Sequence, residues 1–336
     1  MAKAIALLSG GLDSTLAVLL LKKQDIEVTA LTFLTHFGCD MSDSSSCSSD
    51  ASSTAAKYGF TVKVSHLADK FVEIVKAPKF GRGRNMNPCI DCRILMLREA
   101  KAFMVMTGSD FVVTGEVLGQ RPMSQRHDTF PLIDRETGLE GLVLRPLSAK
   151  LLKPTIPETT GLVNREMLCG FSSRSRKPQM ALAREFGLTD YPTPAGGCLL
   201  TDPGYAHRLK ELLRHNADPS VRELLLLRVG RHFRLASGRK VIVGRNAEEN
   251  EKLLDFPEKN DYLLDVFGFG SPLALMEGET CRDDLLQAAA LCARYSDARH
   301  LPVVDVHAMR DGESFTLSVA PAGEKAVDSL RIQKAA

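Results

Sequence analysis

The chain has 336 residues, long enough for two domains, with 44% hydrophobic and 25% charged residues. This composition excludes general disorder or a fibre, and no apolar run reaches the roughly 18 residues of a membrane span. Lys plus Arg is 43 and Asp plus Glu is 41, so the net charge of +2 does not by itself predict a polyanionic partner.

The eight cysteines are too few for a small secreted disulfide scaffold. The apolar stretch Thr15–Leu21 follows a glycine turn and has no basic segment before it, so it predicts a buried helix and not a signal peptide. We therefore expect a cytoplasmic protein without a membrane partner, whose paired cysteines bind metal or do chemistry.

The first half alternates apolar strands with helical patterns, which predicts an α/β domain with a parallel sheet. Helices are expected over 13–23, 50–58 and 92–106, and a mobile loop over 34–54. The predicted strands are Ala4–Leu8, Glu27–Thr32, Thr61–Leu67, Phe111–Thr114 and Gly141–Leu144.

The pattern changes after Gly204 to that of an α+β domain. Its predicted helices are Tyr205–His215, Ser220–Leu227, Ala247–Leu254 and Leu285–Tyr295, and its predicted strands are Arg231–Leu235, Lys240–Val243, Pro302–His307 and Ser314–Ala320. We expect a nucleotide-binding domain over 1–165, a connecting segment with Cys198 over 166–205, and the α+β domain over 206–336.

The strongest local signal is the loop Ser9-Gly10-Gly11-Leu12-Asp13-Ser14, between an apolar strand and a helix. Two adjacent glycines allow several backbone N–H groups to converge at a helix N-terminus, where phosphate binds. The serine hydroxyls add donors, and the Asp13 carboxylate is suited to Mg²⁺. A plain helix start capped by Asp13 or Ser14 is the alternative, but the whole hexapeptide after a strand favours nucleotide binding.

Cys89 and Cys92 form a CxxC motif at the start of a predicted helix, where we expect lowered thiol pKa values. A third thiol, Cys198, follows two glycines. Three interpretations stay open: a zinc site with His127 or His207 as the fourth ligand, a redox dithiol with a persulfide, and an iron–sulfur cluster on three thiolates. Cys39 and Cys47 are spare candidates, and buried structural thiols are expected at Cys169, Cys281 and Cys292.

The motifs of residues 1 to 200 resemble the tRNA thiouridine synthetases of the ATP-pyrophosphatase (PP-loop) superfamily. The phosphate loop is followed by Asn87–Arg93, similar to the tRNA 2-thiouridylase, and by Val113–Gln120 and Leu144–Leu147, similar to the 4-thiouridine synthetase. The resemblance implies a PP-loop fold. It also implies that ATP adenylates a uracil carbonyl oxygen of tRNA, after which sulfur displaces AMP.

Gly115 and Glu116 lie at the end of a predicted strand, and we expect them to border the ATP or the target base. The resemblance also assigns roles to the cysteines. Cys89, Cys92 and Cys198 would carry the sulfur transfer, and members with this pattern hold a [4Fe–4S] cluster on three thiolates. Sulfide or a desulfurase-type carrier would supply the sulfur, because a rhodanese domain is absent. The oligomeric state, the uridine and the modified position are not predicted.

The C-terminal part resembles the RNA-binding domain of NFACT proteins through Gly230–Phe233 and Val243–Asn250. We expect Arg231 and Arg245 there, and Arg82 and Arg84 in a basic loop of the first half, to contact RNA phosphates. The usual N-terminal RNA-binding module of the 4-thiouridine synthetases is missing, so tRNA must be held elsewhere.

Two other functions remain open. One is an ATP-dependent ligase of the same fold, such as a 7-cyano-7-deazaguanine synthase, although the closely grouped zinc-binding cysteines of that type are lacking. The other is a non-enzymatic RNA-binding quality-control factor with a relic nucleotide domain, against which the intact loop from Ser9 to Ser14 argues.

Overall fold

The computed structural model of the chain describes residues 1–37, 55–189, 191 and 198–332. It consists of two compact units, Met1–Thr201 and Asp202–Ala336. No helix in these described ranges is long and apolar enough to cross a membrane.

The first unit is built on a five-stranded parallel sheet. Its strands are β1 (Lys3–Leu7), β2 (Glu27–Leu34), β3 (Thr61–His66), β4 (Phe111–Thr114) and β5 (Val143–Leu144). Their order is β3-β2-β1-β4-β5, and Leu7 at the end of β1 lies beside Leu31 of β2 and Thr114 of β4. The chain therefore reverses its direction of winding at β1, and ligands of such sheets bind outside the carboxyl ends of the strands at that point.

Helices cover both faces of this sheet. They are α1 (Leu12–Lys22), α2 (Ala68–Lys76), α3 (Cys89–Thr107), α4 (Thr129–Thr137), α5 (Ile156–Thr159) and α6 (Lys177–Glu185), with a helical stretch at 55–58. Alternate side chains of β1 point to opposite faces: Ala4 and Ala6 pack with α1, whereas Ile5 and Leu7 pack with α3 and α4. This explains why the strand is a continuous apolar run.

The second unit is an antiparallel sheet of six strands in the order β11-β10-β8-β9-β7-β6. The strands are β6 (Arg231–Arg234), β7 (Lys240–Val243), β8 (Tyr262–Val266), β9 (Ala274–Met276), β10 (Val304–Arg310) and β11 (Glu313–Val319). The helices are α7 (Pro203–His215), α8 (Val221–Leu226), α9 (Ala247–Leu254), α10 (Arg282–Arg294) and α11 (Glu324–Leu330). The apolar side of α10 forms the main core with one face of the sheet.

The predicted fold class is confirmed: a parallel α/β sheet is followed by an α+β unit. Strands β8 and β9 and helices α2, α4 and α11 were not predicted. Helices α5 and α6 lie between Pro146 and Pro203, where frequent prolines predict a connecting segment with short helices. Residues 166–201 belong to the first unit, in which Ala183 of α6 packs against Leu12 and Leu16 of α1.

Candidate functional site

The phosphate loop lies between the end of β1 and the start of α1. Gly10 has a φ of 72°, a left-handed conformation that glycine adopts without strain. The Ser14 hydroxyl accepts a hydrogen bond from the Ser9 backbone N–H at 3.2 Å and donates to the Gly11 carbonyl at 2.9 Å. No side chain caps the N-terminus of α1. The N–H groups of its first turn therefore have no side-chain acceptor and can donate to a bound group. This arrangement suits an anion.

Gly115 lies directly against this loop, at the carboxyl end of the neighbouring strand β4. A Cβ atom at this position would be 2.5 Å from both the backbone N and the Cα of Ser14. Only glycine fits this approach, because real Cβ contacts essentially never come below 3.0 Å. The predicted Gly115 is therefore placed beside the phosphate loop.

Asp13 carries an unsatisfied acceptor in the same place. Its Oδ2 accepts a hydrogen bond from Gln120 Nε2 at 2.8 Å. Asp13 Oδ1 and Gln120 Oε1 are buried and have no hydrogen-bond partner within the described part of the chain. Two buried oxygens without donors are the kind of ligands that a hard cation such as Mg²⁺ takes. The donor set therefore fits a magnesium ion.

Glu116 is buried, with a side chain only 2% exposed. Its Oε1 lies 3.0 Å from Arg93 Nε in an ion pair that does not have the geometry of a hydrogen bond. Its Oε2 accepts from Arg145 Nε at 3.2 Å and from the Thr114 hydroxyl at 3.1 Å. Arg145 also makes a two-pronged contact with Asp134 at 2.7 and 3.0 Å. The carboxylate therefore faces two arginines inside the protein.

The CxxC pair opens α3, as predicted, and Asp91 between the two cysteines fixes the preceding loop. The Asp91 carboxylate is buried and accepts the backbone N–H groups of Lys79 at 2.9 Å and Phe80 at 3.1 Å. The expected lowering of the thiol pKa values is wrong. Burial raises the pKa of Cys89 and raises that of Cys92 to about 12, because loss of solvation outweighs the lowering by nearby arginines.

Cys198 is brought to the same region by the short helical turn Leu199–Thr201. The Leu200 carbonyl accepts the Met86 backbone N–H at 3.0 Å, and the Thr201 carbonyl accepts Asn85 Nδ2 at 2.7 Å. The segment after Cys198 is thus bound to the loop that leads into the CxxC pair.

The three thiols lie close enough to affect one another. The charges of Cys198 and Cys89 both raise the pKa of Cys92, and the Cys198 thiol donates to the carbonyl of Phe37, beyond the end of β2, at 3.4 Å. The donor set is three sulfurs, which suits a soft metal or a cluster. Within residues 1–37, 55–189, 191 and 198–332, no three His, Cys, Asp or Glu side chains are arranged to hold one metal ion. This applies to Cys89, Cys92 and Cys198 as well as to the set that the zinc interpretation would require.

The remaining cysteines differ from one another. Cys292 is a buried core thiol, as expected, and Cys169 is partly buried. The prediction for Cys281 is wrong: it is exposed, because it precedes the first turn of α10 and does not lie on its apolar side. Cys39, Cys47 and most of the loop predicted over 34–54 lie outside the described residues, as do the two glycines before Cys198.

The four arginines predicted to contact RNA have different surroundings. Arg84 is exposed, whereas Arg82 donates to the carbonyls of Val75 and Lys76 at the end of α2. Arg231 donates to the Gly244 carbonyl at 2.9 Å and lies over the Tyr295 ring.

Arg245 is held by a carboxylate of the helix α9, which begins two residues after it. Glu249 accepts its backbone N–H at 2.9 Å and also pairs with its guanidinium, and the Asn246 side chain caps α9 by accepting Glu249 N–H. The groups expected to hold a phosphate at this turn are therefore engaged by the protein itself.

Sequence reasoning missed several residues that shape the site. Gln120 was quoted only as part of a motif, and nothing indicated that it would bind Asp13. Arg93 and Arg145 belong to the motifs Asn87–Arg93 and Leu144–Leu147, but the sequence did not predict that they contact Glu116. The left-handed conformation of Asn85, with a φ of 59°, could have been predicted from its residue type. Among residues other than glycine, Asn takes this conformation most readily.

Comparisons with known proteins agree with this division of the chain. Residues 1–158 match the family described as "Thiamine biosynthesis protein (ThiI)", and residues 230–331 match the "NFACT protein RNA binding domain". The bifunctional protein NifU/MnmA of Rubrobacter xylanophilus is 34% identical over 162 residues, which are 45% of this chain and 32% of that protein. The tRNA-specific 2-thiouridylase MnmA of Herpetosiphon aurantiacus is 29% identical over 234 residues, 63% of this chain and 59% of that protein.

The chain thus spans 32% of the length of the NifU/MnmA protein and 59% of the length of the 2-thiouridylase. Among solved structures, a 4-thiouridine synthetase–RNA complex with bound ATP is 19% identical with a TM-score of 0.36, covering 56% of this chain and 52% of that one. The C-terminal part of a fibronectin/fibrinogen-binding protein from Streptococcus suis is 18% identical with a TM-score of 0.29, covering 38% and 66%. The chain therefore contains one segment, residues 1–158, that matches the ThiI family model, and another, residues 230–331, that matches the model of the NFACT RNA-binding domain.

Proposed function

We propose that this chain is an ATP-dependent tRNA sulfurtransferase that adenylates a uracil carbonyl oxygen and then replaces that oxygen with sulfur. The observation that carries the proposal is the meeting of an anion-binding loop and three thiols at one end of a parallel sheet, within one compact unit. The relatives named 2-thiouridylase and the RNA-binding match of the second unit support tRNA as the substrate.

The first half-reaction would take place over Ser9, Gly10, Gly11 and Ser14. Their N–H and hydroxyl groups would hold the β- and γ-phosphates, and Asp13 would hold a Mg²⁺ ion that offsets the charge of the departing pyrophosphate. The uracil oxygen forms a bond to the α-phosphorus, and the bond from that phosphorus to the pyrophosphate oxygen breaks. Gly115 would keep the floor of the nucleotide site free of side-chain atoms.

The second half-reaction would use the thiols. Cys89, Cys92 and Cys198 would hold a [4Fe–4S] cluster, which would supply sulfide sulfur for transfer to the activated carbon. Without a cluster, the outer sulfur of a Cys198 persulfide would bond to the activated carbon as AMP leaves. Cys89 or Cys92 would then attack Cys198 Sγ, which frees the thiolated base and leaves a disulfide that a cellular dithiol must reduce. In either case AMP leaves with the former carbonyl oxygen, and a sulfur donor in the cell must replenish what is used.

The target base must leave its stack to reach this site. The second unit would bind the tRNA body, with Arg231 and Arg245 as the sequence-derived candidates, and exposed Arg84 and neighbouring Arg82 would contact the backbone near the thiols. Because the protein's own groups already engage Arg245, its contribution should be the smallest of the four.

The decisive experiment is mass spectrometry of tRNA nucleosides from cells that lack the protein, complemented with wild type, Cys198→Ala or Cys281→Ala. We expect a thiolated uridine to disappear and to return with wild type and with Cys281→Ala, whose thiol is exposed in the second unit. Cys198→Ala should not restore it, although the purified variant should still bind ATP. An unchanged nucleoside profile would exclude tRNA thiolation.

Two outcomes would favour the other functions. AMP formation with a nitrile or carboxylate substrate and no effect on tRNA would indicate a ligase of the same fold. RNA binding without AMP release would indicate a quality-control factor, the reading to which the NFACT match at residues 230–331 lends support.

A further inference from the structure

Glu116 connects two parts of the site that otherwise come from different regions of the sequence. It follows Gly115, whose backbone touches Ser14 of the phosphate loop, and its carboxylate turns inward to Arg93 of the thiol helix α3. Gly115 and Glu116 therefore link the backbone of the phosphate loop directly to Arg93, the residue after Cys92.

The carboxylate is held firmly on its other side. Arg145, only 4% exposed, donates to Glu116 and grips Asp134, and its guanidinium lies 4.1 Å from the centre of the Phe130 ring. Arg145 thus anchors Glu116 to β5 and α4, so the carboxylate is a fixed point for Arg93. The hydrogen bonds from Arg145 and Thr114 orient the carboxylate through Oε2, and Oε1 is left facing Arg93 in an ion pair. Removing Arg93 would leave that buried charge without its partner on this side, which is costly.

Arg93 lies in the first turns of α3, next to Cys92 in the sequence. Its side chain is 24% exposed, whereas that of Glu116 is 2% exposed. Among the described residues, Arg93 forms an ion pair with Glu116. This contact connects α3 to the residues that follow β4. It is therefore well placed to set where the CxxC end of α3 lies relative to the phosphate loop.

We propose that Glu116, acting through Arg93, is a positioning residue that holds the CxxC end of α3 against the phosphate loop. This assigns Glu116 to the alignment of the two half-reactions, whereas its place at a strand end predicted that it borders the ATP or the target base. The inference rests on the proposed function for its effect on turnover, whereas its structural part is independent of that function.

The test is a double-mutant cycle of Glu116→Gln, Arg93→Gln and the double variant, with Asp134→Asn as the matched control. The control weakens the same buried network through Arg145 but leaves the Glu116–Arg93 contact intact. Three quantities are measured: the affinity for the non-hydrolysable ATP analogue AMPCPP, hydrogen exchange of the amides of 89–95, and thiolation kinetics.

Glu116→Gln should speed exchange at 89–95 by about tenfold, while exchange in α1 stays within about twofold of wild type. The affinity for AMPCPP and the KM for ATP should change less than about twofold, and kcat for thiolation should fall about fivefold or more. The double variant should resemble Arg93→Gln alone, because both single changes remove the same contact. Asp134→Asn should raise exchange at 89–95 much less than Glu116→Gln does, because Arg145 keeps its contact with Glu116.

Three results would overturn the inference. They are a loss of AMPCPP affinity as large as the loss of kcat, additive effects in the double variant, and an equal rise in exchange at 89–95 in Asp134→Asn. If Glu116→Gln does not fold, Arg93→Gln alone must still show the faster exchange. A wild-type protein that releases no AMP would refute the proposed function, while the exchange measurements would still decide the role of Glu116.

Discussion

At the scale of single residues, the buried Asp13 oxygen has the clearest consequence. A carboxylate oxygen that lacks a donor costs free energy unless a cation joins it, so the site should be incomplete without Mg²⁺.

We therefore expect Asp13→Asn, which keeps the size and removes the charge, to lower the magnesium-dependent release of pyrophosphate from ATP by about 100-fold or more. Pyrophosphate release at increasing MgCl₂ measures this. Gln120→Ala, which removes the neighbour but keeps the carboxylate, should cost much less. A magnesium dependence of Asp13→Asn equal to that of wild type would contradict the assignment.

Gly115 gives a second prediction at this scale. In Gly115→Ala the new methyl group would meet the Ser14 backbone at 2.5 Å, so strand and loop must move apart. We expect a loss of about 1–3 kcal/mol in the free energy of unfolding of the first unit, with weaker AMPCPP binding. Urea unfolding and calorimetric titration measure the two effects.

Gly170→Ala is the control, because its Cβ would meet nothing closer than 3.4 Å. Equal losses in both variants would mean that the effect is a general cost of replacing glycine and not a close approach at the loop.

The residue scale also shows where sequence reasoning reaches its limit. The loop from Ser9 to Ser14 is a local pattern of strand, glycines and helix, so the sequence alone could predict it. The thiol pKa of Cys92 depends on how much water its surroundings exclude, and that depends on side chains far away in the sequence. A rule based on the helix terminus therefore gave the wrong sign.

At the scale of elements, the first turn of α3 is stabilised by Asp91. Its two hydrogen bonds with the N–H groups of Lys79 and Phe80 tie the basic loop to the CxxC turn. This is a buried, charged contact, and hydrogen bonds to charged groups contribute more than neutral ones.

Asp91→Ala should lower the free energy of unfolding of the first unit by about 1.5–3 kcal/mol and make Cys89 easier to alkylate. Urea unfolding and the rate of maleimide labelling at constant pH measure these changes. Asp69→Ala, an exposed first-turn aspartate of α2, should cost less than about 1 kcal/mol. An Asp91→Ala protein as stable as the Asp69→Ala protein would show that the loop does not depend on this contact.

The elements that the sequence predicted have a clear local pattern of apolar and polar residues. The buried strands β1, β2 and β4 are apolar runs, and α9 has a polar face and a capping Asn246. Strand β9 has only three residues, too few to display alternation. Helix α6 lies within the stretch from Pro146 to Pro203, whose frequent prolines predicted a connecting segment with short helices. Their structure is set by packing partners, which a local pattern does not contain.

At the scale of the whole molecule, buried thiols make the fold sensitive to alkali. Burial raises the pKa of Cys92 and Cys292 to about 12 and that of Cys169 to about 11, from 9.0 in the unfolded chain. Each thiol then contributes stability that is complete below pH 9 and is lost as the pH rises towards its folded pKa, because the unfolded chain releases the proton first.

Cys292 allows this to be measured without disturbing the candidate site. The free energy of unfolding of the second unit should fall by about 1.4 kcal/mol for each pH unit above 9, and less steeply in Cys292→Ala. Urea unfolding at pH 8, 9 and 10 gives the slopes. Parallel slopes for the two proteins would mean that another group dominates the alkaline transition.

The protonated state of Cys92 has a consequence for the life of the protein in the cell. A thiol that keeps its proton reacts slowly with peroxides and disulfides, since the thiolate is the reactive form. Before its proton is removed, Cys92 would therefore resist oxidative damage, and a base or a cation near its sulfur would be needed to make it reactive.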